Sequence, residues 1–183
     1  MDPDRETVPA MDDHAVATVQ LDRPLRATGE VVARCPLDMP VVMKVPPLLD
    51  DGTPFPTLYW LTCPLALRRI GRLESVGGVK QMERLFESDE ERAHALAQRH
   101  ESYAAERDLL VPDDAPLRPQ GGVAGLGRGV KCLHAHYADF AAGGPNPIGE
   151  LVAPWVEPLD CESTCVIGYG KDVRRNPNWR EPK

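Results

Sequence analysis

Short β-branched runs come first along this chain, and helical spacing takes over from its middle. Residues 30–35 and 41–45 are such runs, separated by a turn from Pro36 to Pro40, and they predict two strands of a small sheet. After the turn Asp50-Asp51-Gly52-Thr53, residues 57–61 predict a third extended segment. Pro64 then suits the first position of a helix with Cys63 as its N-cap, and Leu65, Leu67, Ile70, Leu73 and Val76 follow near helical spacing until Gly77-Gly78. Residues 79–86 predict a further short helix. Residues 93–110, rich in Ala, Glu, Arg and Leu without Gly or Pro, predict a long one that starts at Ser88-Asp89-Glu90-Glu91. Residues 112–129 read as a loop; its glycines between 121 and 129 suggest a phosphate cradle but lack the Gly-Lys-Ser/Thr ending of a P-loop. Residues 130–142 predict a last long helix, and Asn146-Pro147 opens a short terminal element.

The fold class expected from this order is α+β, with a small antiparallel sheet from the N-terminal third packed by helices from the rest. Low periodicity at both ends predicts a disordered leader over residues 1–28, a single domain over 29–153 and a flexible proline-rich tail over 154–183.

Composition narrows the function classes. With 183 residues, 42% of them hydrophobic, the chain suffices for one cored domain. Its net charge of -7 argues against general binding to nucleic acid or anionic membranes. No run approaches the ~20 apolar residues of a membrane span, and the acidic start is unlike a secretory signal. A cytoplasmic protein is the expectation. In a reducing compartment its five cysteines serve as metal ligands, redox groups or buried hydrophobes rather than disulfide partners.

Three readings of the chemistry stay open. Cys35, Cys63 and Cys132 with His134, or with His136 in its place, supply the four soft ligands of zinc or of an iron–sulfur cluster, although their spacing is long and irregular. Alternatively Cys63, at a helix N-cap where the dipole lowers a thiol pKa, is the reactive group of an enzyme or sensor. His100 or His134 is then its base, Glu74 a second candidate base, and Arg68, Arg72 and Lys131 a pocket for phosphate or carboxylate. In the third reading the cysteines are inert and buried, and the aromatic stretch and tail dock a protein partner. Cys161 and Cys165, four apart, are able to bind metal or form a disulfide, but in a proline-rich tail with Trp155 and Trp179 they read as an exposed pair without a role.

Several stretches taken together resemble a known family. They are Val32-Ala33-Arg34-Cys35-Pro36, Asp51-Gly52-Thr53-Pro54-Phe55-Pro56-Thr57-Leu58-Tyr59-Trp60-Leu61-Thr62-Cys63-Pro64, Arg72-Leu73-Glu74, His100-Glu101-Ser102-Tyr103, Val130-Lys131-Cys132-Leu133-His134 and Asn146-Pro147-Ile148-Gly149. The chain is similar over about residues 29–151 to the uncharacterised bacterial DUF 501 family. The resemblance implies that Cys35, Cys63, Cys132 and His134 belong to the family pattern, whereas Cys161 and Cys165 lie outside it. It implies no activity.

Overall fold

A computed structural model describes residues 10–182. Strands β1 (Glu30–Arg34), β2 (Pro40–Lys44) and β3 (Tyr59–Leu61) form a three-stranded antiparallel sheet in that order. The β1–β2 turn is tight: Cys35 N–H donates to Met39 O at 3.0 Å, Asp38 N–H to Cys35 O at 2.9 Å, and Asp38 sits at φ 61°. Central β2 is buried along nearly its whole length, and Val42 faces Leu61 across the ladder to β3. Residues 55–61 are held by a side chain from the long helix: Tyr103 Oη accepts the N–H of Leu58 at 2.6 Å and that of Tyr59 at 3.3 Å.

Helices α2 (Pro64–Ser75), α3 (Gly78–Glu87), α4 (Glu90–Asp108), α5 (Leu133–Ala141) and α6 (Pro147–Val156) complete the expected α+β fold. Pro64 opens α2 behind the N-cap Cys63, and Gly77 at φ 89° makes the break to α3. Asp89 caps α4 by accepting the Arg92 N–H at 3.1 Å, with Glu90 and Glu91 in the first turn where the dipole favours them. Asn146 caps α6 through the N–H groups of Ile148 and Gly149. The main core joins Val42 and Leu61 of the sheet to Leu65, Ile70, Phe86, Leu133, Tyr137 and Ile148 of the helices.

One polar cluster is buried inside this packing. Arg99 of α4 grips Asp139 of α5 with two hydrogen bonds of 2.8 and 2.6 Å, and Asn146 Nδ2 donates to the same carboxylate at 2.8 Å. Because Asn146 also caps α6, the cluster ties three helices together.

Both chain ends depart from expectation. Residues 1–9 of the expected leader lie outside the described residues, but Asp13–Leu21 form helix α1, capped by Asp12, with Val16, Ala17 and Gln20 buried. In the expected tail, α6 runs on to Val156, and β4 (Val166–Tyr169) pairs antiparallel with β5 (Asp172–Arg175). The hairpin packs on α1, and Val16, Met39 and Val166 share a small core of their own. Neither end has enough apolar periodicity to form structure by itself, so both depend on contacts far apart in sequence.

The glycine loop is also packed rather than open. Val123 within it is fully buried, and a Cβ on Gly122 would lie 2.6 Å from the backbone of His100, so only glycine permits this close approach to α4. That leaves it a structural loop against α4, not an open phosphate cradle. Helix α5 begins three residues later than the spacing suggested, because Glu74 Oε1 accepts the Leu133 N–H at 2.6 Å and Cys132 is extended. Among the described residues no helix is long and apolar enough to cross a membrane.

Candidate functional site

Four of the five cysteines line one pocket. Cys35 comes from the β1–β2 turn, Cys63 from the N-cap of α2, and Cys161 and Cys165 from the segment between α6 and β4. All are free thiols, and Cys63, at 6% exposure, is the most enclosed. Two of the four sulfurs accept side-chain N–H groups, and a third lies against a helix N-terminus. Trp179 Nε1 donates to Cys161 Sγ at 3.4 Å and Gln20 Nε2 to Cys165 Sγ at 3.4 Å, while Cys63 Sγ faces the backbone N–H groups of Leu65 and Ala66 in the first turn of α2. Such donors favour a sulfur that carries negative charge. As the side chains lie, no group of three or more His, Cys, Asp or Glu residues among the described residues could hold a metal ion, so the thiols share a pocket without converging on one point.

The α2 arginines explain how the last two cysteines arrive. Arg69 donates to the carbonyls of Val156 and Pro158, both at 2.6 Å, and lies 3.4 Å from Asp160. The Arg68 guanidinium sits 5.0 Å above the Trp179 ring, and Arg72 makes two bonds of 2.6 Å to Glu181. Asn176 completes the fastening, its side chain donating to Thr164 O at 2.7 Å and its N–H to Cys165 O at 3.0 Å. The expected anion pocket is therefore not formed: Arg68 and Arg72 grip the C-terminal segment, and Lys131 stays exposed beside Cys132.

A reactive Cys63 does not follow from its N-cap position either. Burial pushes its thiol up to about 12, outweighing the N–H groups of Ala66 and Leu65 that pull the other way, and the neighbouring Cys165 and Cys35 add to the rise. His100 is not placed as its base. Its Nδ1 accepts the Val123 N–H at 3.1 Å, which leaves Nε2–H to donate to Gly129 O at 3.0 Å, and burial lowers the ring's pKa. Glu74, the other candidate base, instead caps α5 and lies 3.2 Å from His134 Nδ1.

The remaining two expected ligands stand elsewhere. Cys132, half-buried at the N-cap of α5, and His134 line a separate cleft of about 400 Å³, and His134 Nε2 lies 3.3 Å from Leu67 O. Burial raises the Cys132 thiol. The set Cys35, Cys63, Cys132 and His134 is thus divided two and two. The cleft also takes Phe55, Tyr59 and Trp60 from the long aromatic stretch, and Arg23 and Arg26 from the segment after α1. Phe55 and Trp60 rings are 5.7 Å apart, and the Arg23 guanidinium lies 4.6 Å over Trp60.

Sequence reasoning missed four contributors to the thiol pocket: Gln20, Cys161, Cys165 and Trp179. The four-residue spacing of Cys161 and Cys165 was the available signal. Its weight depended on knowing that the tail folds back onto α2, which three arginines on one helix do not announce.

No curated protein and no solved structure matches the chain. A family model described as a protein of unknown function, DUF501, matches residues 31–154, from β1 into α6. The match contains Cys35, Cys63, Cys132 and His134 but neither α1 nor the segment bearing Cys161 and Cys165. With more than half of its length inside that match, the chain belongs to the DUF501 family.

Proposed function

We propose that this protein carries a structural metal centre, zinc or an iron–sulfur cluster, held by Cys35, Cys63, Cys161 and Cys165. The observation that carries the reading is the gathering of four thiols from three distant parts of the chain around one pocket, two of them already accepting N–H groups. Four thiolates are the ligand count of a closed zinc site and of the common clusters. The reading requires the four side chains to rotate onto the metal, and binding would release their protons, so Cys63 would be held as a thiolate by the ion and not by its own acidity. With all protein ligands sulfur and no open position, the centre would fasten the chain rather than activate water. What it would fasten is clear from the donors: the C-terminal segment to the β1–β2 turn and to the start of α2.

Protein purified without oxygen and analysed for zinc, iron and acid-labile sulfide tests this. One zinc or one cluster per chain is expected, lost in Cys161→Ser and Cys165→Ser but retained in Cys132→Ser and His134→Asn. Metal retained in full by both tail variants, or lost with Cys132→Ser, would refute the four-thiol site.

A further inference from the structure

We infer that the cleft lined by Trp60, Cys132 and His134 is a binding site for a mononucleotide, its base against the aromatic stretch and its phosphate on Arg23 and Arg26. The inference is carried by residues other than the four thiols and stands whether or not they take a metal.

Size comes first. About 400 Å³ lies within the range of pockets that enclose small molecules, and the walls are mostly apolar, with Phe55, Tyr59 and Trp60 offering ring faces or edges to a planar group. Charge comes second. In a chain of net charge -7, Arg23 and Arg26 are the only residues with permanent charge among the described residues that line the cleft, and both are positive. The Arg23 guanidinium is stacked on Trp60 and makes no hydrogen bond or ion pair among the described residues, its backbone N–H alone donating to Thr18 O at 3.3 Å. Stacking uses the face of a guanidinium and leaves its edge, with the N–H donors, turned outward for an anion. Arg26 pairs with Asp51 at 2.7 Å, but both side chains are mostly exposed, and such pairs contribute little and exchange readily.

An uncharged apolar ligand would draw nothing from the two arginines, and a nucleic acid strand is disfavoured by the overall negative charge. A single nucleotide matches both halves of the cleft. Its ring meets the aromatic wall and its phosphate meets the two arginines at the rim.

The test uses full-length protein and calorimetric titration with AMP, UMP, adenosine and inorganic phosphate. At least one of AMP and UMP is expected to bind saturably at one site, at least about tenfold tighter than phosphate, and AMP more tightly than adenosine, because two arginines read the phosphate. Arg23→Gln, a change at an exposed residue with the fold checked by circular dichroism, should weaken nucleotide binding by about tenfold or more while leaving adenosine unaffected. Bound nucleotide should also slow alkylation of Cys132, measured by peptide mass spectrometry. Three results would overturn the proposal: no saturable binding of either nucleotide, binding no tighter than that of phosphate, or binding undiminished in Arg23→Gln.

Discussion

Replacing Asp139 by Asn removes one charge from the most enclosed ion pair among the described residues. Asp139 has no exposed surface and the Arg99 side chain is 2% exposed, so neither is solvated by water in the native state. The wild-type carboxylate accepts two bonds from Arg99 and one from Asn146 Nδ2. An asparagine offers one oxygen to these three donors and turns an N–H group toward one of them. Arg99 would keep Glu106, but that carboxylate is 42% exposed and shares its attraction with solvent. Breaking a buried pair by removing one partner typically costs about 3–5 kcal/mol, and a domain of this size has about 5–15 kcal/mol in total. Asp139→Asn should therefore lose about a fifth of the stability or more, whereas Glu106→Gln should lose about 1 kcal/mol or less. Urea unfolding followed by circular dichroism reads both, with the slope unchanged if only stability is altered. Equal losses in the two variants would refute the assignment of Arg99–Asp139 as the tie between α4, α5 and α6.

Other consequences follow from single contacts. Burial lowers the His136 pKa from its usual 6.5 to about 4; the unfolded chain then binds more protons between those values, so stability should fall as pH drops from about 6.5 to 4, by about 3 kcal/mol at most. His100, whose pKa burial also lowers, adds to the fall, so it should be reduced but not abolished in His136→Gln, and unfolding curves at pH 7 and pH 5 check it. Tyr103→Phe leaves the N–H groups of Leu58 and Tyr59 without their shared acceptor, at a cost of about 1–3 kcal/mol measurable by thermal unfolding. Trp179→Ala removes the platform under Arg68 and the N–H to Cys161, worth about 1–2 kcal/mol of local stability. Limited trypsin digestion at Lys171, Arg174 and Arg175 should accelerate about tenfold, with the helical domain still folded.

Local signals carried the parts of the fold that local physics decides. The strand, turn and strand around Pro36, the Cys63-Pro64 helix start, the Gly77 break and the acidic opening of α4 at Asp89 are all encoded within a few residues, and all are found. The misplaced start of α5 was decided by Glu74, 59 residues away, and no window around Val130 contains that carboxylate. The same reason hid α1 and the β4–β5 hairpin, whose apolar residues Val16 and Val166 find each other across the length of the chain. For the site, residue type was legible and grouping was not. Cys35 and Cys63 do share a pocket, but Cys132 and His134 joined them because soft ligands count to four and because all four residues belong to the family pattern, which says nothing of their distance. The arginines of α2 read as an anion site because their partners, Glu181, Trp179 and the carbonyls of Val156 and Pro158, lie in a segment with no periodicity to reveal that it docks there.

X-ray absorption at the metal edge of anaerobically purified protein tests the central claim most directly, because it counts ligands by element. Four sulfur neighbours at about 2.3 Å and no nitrogen are predicted for zinc, with an iron–iron distance in addition if a cluster is bound. A shell of mixed sulfur and nitrogen would return His134 to the ligand set and contradict the four-thiol centre, and protein purified in this way without zinc or iron would contradict the metal itself.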